Sequence, residues 1–255
     1  MSELISKNFR RLILGISRRI LRPMGYSIAP TALPYFDADA VIDKATKAGL
    51  PVGEYLEVTN LGSVGKRRDL IVELINGVHL PAGTHTVLEI GSGTCMFLEK
   101  LVGVDGASSV EIYEPNLKWR SYGKRLISEL GVNVSAPDAD GRSLKQTPNR
   151  SVDKVYAHGV FVYTPVVKTL GYFKEASRVL KKGGFFVFDV FLARSNFSEI
   201  IDKFQRSNPD GFDFPVFLDE AWLRAFAESC GFEVTNSFDA PYHGITTTYF
   251  VLRRL

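Results

Sequence analysis

The sequence has few cysteines, little net charge and no long apolar run. Two of its 255 residues are cysteine, Cys95 and Cys230, so it lacks the cysteine density of a disulfide scaffold. A low cysteine content is typical of a reduced intracellular protein, and we expect a cytoplasmic one. No apolar run approaches the roughly 20 residues that a membrane-spanning helix needs. Length and composition together indicate one globular domain with room for a short extension.

The net charge of +3 is distributed unevenly along the chain. Residues 1–22 hold six basic side chains and one acidic one, which leaves a net charge of −2 for the remainder. Because the main part of the chain has no basic bias, we expect no nucleic-acid partner. Within residues 1–22 the apolar residues recur at helical spacing, and Pro23 and Gly25 follow, which predicts an amphipathic helix.

Three roles stay open for this basic helix. It is suited to peripheral contact with an anionic membrane surface, to packing on the domain or a dimer partner, and to an organelle transit peptide. Residues 23–65 are rich in proline and aromatic residues and predict an irregular cap with one short helix near 37–49. We therefore divide the chain into an N-terminal helix and cap, 1–65, and a main domain, 66–255.

From residue 66 onward, helical and strand patterns alternate. Helices are predicted at 66–79, 95–103, 116–130, 166–181 and 219–230, and strands at 86–90, 108–114, 152–157, 185–190, 232–238 and 246–253. This alternation predicts an α/β fold, in which a doubly wound, mostly parallel sheet has helices on both faces. The last two strands follow each other without a helix between them.

A glycine-rich turn at residues 87–95 carries the clearest functional signal. An apolar strand with Glu89 near its end runs into Gly91 and Gly93, and a tight glycine turn lets a ligand approach the backbone. A second strand ends at Glu114, about one βαβ unit later, where an acid is placed to accept ribose hydroxyls. The third small residue of the dinucleotide fingerprint is replaced by Met96. Glu89 would repel a pyrophosphate but suits an ammonium or a sulfonium group.

These residues resemble motif I of the class I S-adenosylmethionine-dependent methyltransferases. The resemblance covers roughly residues 66–255 and includes Glu114, Asp140-Gly141, the strand 153–158, the turn 178–184 with Lys182 in place of proline, and Cys230-Gly231-Phe232-Glu233. It implies a seven-stranded sheet whose final hairpin adds one antiparallel strand, and S-adenosylmethionine as cofactor. It also assigns cofactor contacts to Glu89, Gly91, Ser92, Gly93, Glu114, Asp140, Gly141 and His158, with Asp138 as an alternative to Asp140 beside adenine.

Catalytic candidates are side chains that finish a strand, because ligands of open α/β sheets bind beyond the carboxyl ends of the strands. His158 ends the predicted fourth strand and is the best general base, since imidazole titrates near neutrality. Asp189 ends the predicted fifth strand and would orient either this histidine or the acceptor. Tyr163 and His243 are weaker candidates. The structural alternatives are a histidine that only orients substrate and a carboxylate that caps the sheet edge.

Motifs of other methyltransferase classes are missing from the sequence, which restricts the type of reaction that we expect. The fourth strand ends in His158 rather than in a metal-binding acid, and the Asn/Asp-Pro-Pro-Tyr motif of nucleic-acid amine methylation is absent from the sequence. We therefore expect metal-independent O-methylation of a small-molecule or glycan acceptor, lipid-linked acceptors included. N-methylation of a small molecule stays open.

Two other hypotheses compete with this one, and one segment is a candidate lid. The competing functions are a nicotinamide-dependent oxidoreductase and a non-catalytic S-adenosylmethionine-binding protein. Residues 192–217 contain five phenylalanines and, together with residues 35–65, are predicted to form a lid over the acceptor. Alternatively, those aromatic residues only pack the insertion against the core.

Overall fold

The computed structural model describes residues 38–60, 64–77, 85–194, 197–207, 215–242 and 245–255. The chain separates into two compact units, Met1–Val41 and Ile42–Leu255. The predicted amphipathic helix at 1–22 lies outside the described residues, and its role stays a prediction, as does the domain boundary at 65/66. No helix within the described ranges is long and apolar enough to cross a membrane.

The described part of the second unit contains one central sheet. Its strands are β1 His85–Ile90, β2 Ala107–Tyr113, β3 Asn133–Ser135, β4 Val152–Ala157, β5 Leu180–Leu192, β6 Phe217–Leu218, β7 Phe232–Tyr242 and β8 Ile245–Arg254. The order is β3-β2-β1-β4-β5-β8-β7, with β6 paired to β5 outside this path. Strands β1 to β5 pair in parallel, and β8 lies antiparallel between β5 and β7. The predicted fold class is confirmed, and β3 and β6 are short strands that the sequence did not predict.

The strand order reverses between β1 and β4. The chain enters the sheet at β1, runs outward to β3, and returns to the other side of β1 as β4. This reversal opens a crevice beyond the carboxyl ends of β1 and β4, the usual ligand position in such sheets. The glycine-rich turn follows β1 and His158 follows β4, so both lie at this crevice.

The helices of the described residues are α1 Ala38–Ala48, α2 Val52–Asn60, α3 Val64–Asn76, α4 Leu98–Asp105, α5 Leu117–Ser128, α6 Val166–Val179, α7 Phe197–Ser207 and α8 Glu220–Ser229. Two of them begin with side-chain caps: Asn116 Oδ1 accepts from the N–H groups of Lys118 and Trp119, and Asp219 Oδ1 accepts from Trp222 N. Such caps satisfy N–H groups that the helix itself leaves without partners.

Three predictions about these elements were wrong. Residues 23–65 contain a second helix, α2, which follows Pro51. The Pro51 carbonyl accepts a hydrogen bond from Tyr55 N, and proline is well tolerated at the start of a helix. Helix α4 begins at Leu98 rather than at 95, because Cys95 has a left-handed φ of 57° that no α-helix contains. Strand β5 continues to Leu192, so Asp189 lies inside the strand rather than at its end.

Both faces of the sheet are buried under helices. On one face, aromatic rings dominate the core, and Phe173 lies 5.0 Å from Phe188 and 5.4 Å from Phe186 between ring centroids. On the other face, apolar side chains of α3 and α4 cover β1, β2 and Tyr156 of β4. Burying each large apolar side chain stabilises the fold by about 1.5–3 kcal/mol, so the two clusters fix the positions of the strand ends.

Candidate active site

The turn after β1 requires glycine for two separate reasons. Gly91 and Gly93 have φ angles of 64° and 50°, in the left-handed region that glycine adopts without strain. A Cβ on Gly91 would also lie 2.7 Å from Cγ2 of Val160, which belongs to the loop after β4. Gly91 N donates to the carbonyl of Tyr113 at 2.8 Å. The turn is therefore held tightly between the ends of β2 and β4.

Glu114 fastens this turn to the end of β2. One carboxylate oxygen accepts from Gly93 N at 2.9 Å, and the other accepts from Asn116 N at 2.7 Å. Burial raises the pKa of Glu114, while the two N–H groups and the charge of Arg120 act in the opposite direction. The geometry presents a buried, hydrogen-bonded carboxylate at the crevice, where the sequence predicts the ribose contact.

Glu89 is the second buried carboxylate of the crevice. Its side chain is 2% exposed, and in the described part of the chain Oε2 has no hydrogen-bond partner. Burial, and then the neighbouring charge of Glu114, raise the pKa of Glu89 well above its ordinary value. Ser92, in the same turn, is also buried.

The loop at Asp140-Gly141 lies beside the end of β2. Asp140 Oδ1 accepts from the N–H groups of Arg142 and Ser143, and Oδ2 accepts from the Ser143 hydroxyl at 2.8 Å. Burial pushes the pKa of Asp140 upward, but these hydrogen bonds outweigh it and leave the pKa lowered. A Cβ on Gly141 would lie 3.6 Å from Pro115. The alternative residue, Asp138, has a 90% exposed side chain paired with Arg120 at 2.6 Å.

His158 lies directly beyond β4 in an aromatic surround. Its ring stacks on Phe97 with centroids 4.8 Å apart and on Tyr156 at 5.3 Å, and Tyr249 lies tilted at 5.8 Å. Phe97 is the N-cap residue of α4, so the helix that follows the glycine turn also positions the imidazole. The prediction that His158 sits at the carboxyl end of the fourth strand is confirmed; its role as a base stays a prediction.

Asp189 anchors the loop that carries His158. Its Oδ1 accepts from Gly159 N at 2.6 Å, and the side chain is buried. Ala157 of β4 pairs with Phe188 of β5, so His158 and Asp189 occupy the next positions on adjacent strands. Although Asp189 does not end its strand, it lies beside the candidate base.

A buried charge network below the site was not predicted from the sequence. Lys154 Nζ lies 2.6 Å from Asp105 Oδ1, and the Tyr156 hydroxyl donates to Asp105 Oδ2 at 2.7 Å. Both ends of helix α4 therefore contact this part of the chain. Asp105 accepts a hydrogen bond from Tyr156 of β4, and Phe97 stacks on His158 just beyond the strand. The available signal was Lys154 itself, since a lysine inside a strand that is buried on both faces requires a charged partner.

A pair of phenols lies on the other side of the His158 loop. The hydroxyl groups of Tyr163 and Tyr242 are 3.0 Å apart, and a Cβ on Gly159 would lie 3.5 Å and 3.7 Å from them. Tyr242 also packs edge-on against Phe191, with centroids 5.5 Å apart. The sequence predicted Tyr163 as a weak candidate and missed Tyr242, whereas His243 lies outside the described residues.

No group of three or more His, Cys, Asp or Glu side chains within the described ranges is arranged to hold a metal ion.

Residues 87–184 match the family described as a methyltransferase domain. The match includes the glycine turn, Glu89, Glu114 and His158, and it ends before Asp189. These residues therefore form an S-adenosylmethionine-dependent methyltransferase domain with the class I fold. The match favours a methyltransferase over the nicotinamide-dependent alternative. No curated protein matches the sequence significantly.

Solved structures share the fold of this methyltransferase at low sequence identity. A putative sarcosine dimethylglycine methyltransferase from Galdieria sulphuraria is 17% identical, with 75% of this chain and 86% of that chain covered and a TM-score of 0.56. A SAM-dependent methyltransferase from Aquifex aeolicus is also 17% identical, with 86% of this chain and 100% of that chain covered and a TM-score of 0.54. A geranyl diphosphate methyltransferase in complex with GPP and sinefungin is 13% identical, with 73% of this chain and 79% of that chain covered and a TM-score of 0.57.

The residues of the crevice fit the cofactor S-adenosylmethionine. The glycine turn leaves room that a Cβ would fill, Glu114 offers a carboxylate to hydroxyl groups, and Glu89 offers a buried carboxyl group as a partner for a cation. The individual cofactor contacts of Glu89, Gly91, Ser92, Gly93, Glu114, Asp140, Gly141 and His158 stay predictions.

Proposed function

We propose that this methyltransferase methylates a hydroxyl group of a small-molecule or glycan acceptor without a metal, with His158 as general base. The observation that carries the proposal is the position of His158. It follows β4 at the crevice, beside the turn that would hold the cofactor, and Asp189 occupies the neighbouring position on β5. A hydroxyl acceptor needs proton removal, and an imidazole at this edge is suited to that role.

Each residue has a defined task in this proposal. S-adenosylmethionine, when bound, supplies a methyl group activated by the sulfonium, so the protein mainly supplies position. Glu114 and the glycine turn orient the nucleoside, and Glu89 faces its cationic part. His158 Nε2 or Nδ1 accepts the proton of the attacking hydroxyl, while Asp189 fixes the loop through Gly159 N. The buried surround of the imidazole keeps bulk water away from the transferred proton.

The acceptor would enter from the side of the phenol pair. Tyr163 and Tyr242 lie beside the His158 loop and offer hydroxyl groups to a polar acceptor. Residues 192–217 begin and end close together, because Phe191 and Leu192 of β5 pair with β6. This anchoring is compatible with the proposed lid. A membrane-bound or lipid-linked acceptor would involve residues 1–22, which lie outside the described residues.

The test is methyl transfer from tritiated S-adenosylmethionine to panels of hydroxyl and amine acceptors. For the acceptor found, we expect His158→Ala to lower kcat by about 100- to 10,000-fold, because general-base help is lost. Affinity for S-adenosylhomocysteine should stay within about threefold, a difference worth less than 1 kcal/mol. His85→Ala is the matched control, since His85 lies at the opposite end of β1. Unchanged turnover of His158→Ala would refute the base role, and transfer to amines alone would establish N-methylation.

One observation favours a second candidate, a protein that binds S-adenosylmethionine without transferring its methyl group. His158 is buried and stacks against aromatic rings, which would equally suit a purely structural histidine. Under this alternative the purified protein binds the cofactor but labels no acceptor of either panel. His158→Ala then lowers the melting temperature and changes no reaction.

A further inference from the structure

The two carboxylates of the crevice are stabilised very differently. Glu114 accepts hydrogen bonds from Gly93 N and Asn116 N, and the charge of Arg120 also favours its ionised form. Glu89 is 2% exposed and, within the described residues, its Oε2 accepts no hydrogen bond. A buried carboxylate without donors or a counter-ion is strongly disfavoured in its ionised form.

The groups that face Glu89 supply no compensating positive charge. Glu89 pairs with Ile112 of β2 and with Tyr156 of β4, which places Glu114 and His158 two positions further along these strands, on the same face. Cys95 approaches from the turn, and a negative charge on Glu89 would raise the pKa of both Cys95 and Tyr156. On α3, the Arg68 guanidinium donates to the carbonyl of Met96 and pairs with Glu99. Among the described residues, no cation lowers the pKa of Glu89.

We propose that Glu89 is protonated in the ligand-free enzyme and releases this proton to solvent when S-adenosylmethionine binds. The ammonium or sulfonium of the ligand is then the counter-ion that the protein does not provide, and the carboxylic acid becomes a carboxylate paired with it. Glu89 thereby determines selectivity for cationic over neutral adenosine ligands. The proposal rests on the cofactor, not on the acceptor or on the role of His158.

The test is calorimetric titration at pH 7 in phosphate and in Tris, whose ionisation enthalpies differ widely. A difference in binding enthalpy between the buffers measures the protons released per ligand bound. For S-adenosylmethionine and for sinefungin we expect release approaching one proton per site. For 5′-methylthioadenosine, which lacks the amino-acid portion and carries no positive charge, we expect release near zero.

The variant Glu89→Gln tests the assignment to this side chain. Its amide imitates the protonated acid in shape, so we expect folding to persist and proton release with S-adenosylmethionine to vanish. Affinity for S-adenosylmethionine should fall about ten- to a hundredfold, the loss of one charged hydrogen-bonded contact, with little change for 5′-methylthioadenosine. Glu129→Gln, at the exposed end of α5, is the matched control and should release protons as the wild type does.

Three outcomes would overturn the proposal. Equal enthalpies in the two buffers for S-adenosylmethionine would show that no proton leaves. Equal release for S-adenosylmethionine and 5′-methylthioadenosine in the wild type would show that the ligand's charge is not the cause, and this comparison holds even if Glu89→Gln does not fold. Release that persists in folded Glu89→Gln would assign the proton to another group.

Discussion

At the scale of single residues, the site depends on how each carboxylate is paired. Glu114 is held by two backbone N–H groups, Asp189 by one, and Asp140 by the N–H groups of its own loop. Hydrogen bonds to charged groups contribute about 1.5–3 kcal/mol each, which is enough to fix a side chain in one orientation. Oε2 of Glu89 has no hydrogen-bond partner among the described residues, so the behaviour of Glu89 should differ from that of the other three.

Replacing Glu114 by alanine should weaken cofactor binding strongly. The substitution removes the predicted partner of the ribose hydroxyls and also releases Gly93 N from its acceptor. We expect the Kd for S-adenosylhomocysteine, measured by calorimetry, to rise about ten- to a hundredfold, equivalent to about 1.5–3 kcal/mol. An unchanged Kd would remove Glu114 from the binding site. Glu129→Ala provides a surface control that should leave the Kd unaffected.

Glu89 should make the stability of the ligand-free protein depend on pH. Burial, with the adjacent Glu114, raises its pKa in the folded state well above its ordinary value. Stability from this group is therefore fully present below about pH 4.3, the unfolded pKa, and is lost as pH rises towards the folded pKa. Urea unfolding at pH 5 and pH 8 should show Glu89→Gln gaining stability relative to wild type at the higher pH. A pH-independent difference between the two proteins would contradict this.

At the scale of elements, the close approach of α5 to the glycine turn is the decisive contact. A Cβ on Gly123 would collide with the Cys95 Sγ atom, so the helix can lie this near only because residue 123 is glycine. Cys95 is fully buried and has a φ of 57°, which leaves it little freedom to move away. The same helix carries Trp119, whose side chain is completely buried.

Gly123→Ala should therefore destabilise the fold despite the higher helix propensity of alanine. Overpacking of this kind typically costs about 1–3 kcal/mol, partly offset by up to about 1 kcal/mol of propensity. Urea unfolding of Gly123→Ala, Cys95→Ala and the double variant gives the coupling energy. We expect the double variant to be more stable than the sum of the single effects. Strict additivity would show that the two residues do not compete for space.

Most elements of the main domain follow from local pattern, and the exceptions have physical reasons. The strand at 152–157 was predicted with its observed limits. Strand β3 spans three residues and β6 two, which is too short for an alternating pattern to be recognised in the sequence. Helix α2 was missed because Pro51 directly before it was interpreted as part of an irregular segment. The residues predicted to contact the cofactor lie at turns and strand ends, which are local signals, and their contacts stay predictions. The pairs Lys154–Asp105 and Tyr163–Tyr242 join distant segments, which no local pattern encodes.

At the scale of the whole molecule, one aromatic cluster joins the parallel half of the sheet to the final hairpin. Phe188 of β5 stacks on Phe250 of β8 with centroids 5.9 Å apart, and Phe173 of α6 contacts Phe188 from the covering helix. Phe188 also precedes Asp189, so the packing of this ring fixes the residue that anchors the His158 loop. Core packing and the site are thus coupled through adjacent positions of β5.

Truncating Phe188 to alanine should lower both stability and activity. A buried phenylalanine replaced by alanine typically costs about 3–5 kcal/mol, part of it from the cavity left behind. We expect one cooperative unfolding transition, shifted to lower urea concentration, as followed by circular dichroism. Phe188→Leu keeps most of the volume and should recover a large part of the loss. A second, separate transition would show that the hairpin unfolds independently.

The contact between Gly159 and Asp189 has a consequence for backbone motion. Gly159 lies in a loop, where amide hydrogens usually exchange with deuterium quickly because loops open with little free energy. Its N–H, however, points at a carboxylate buried inside β5. Exchange at this position therefore requires the loop to detach from the strand, and its protection factor should resemble those of β4 amides. The segment that presents the imidazole is, by this criterion, a continuation of the sheet rather than a flexible connection.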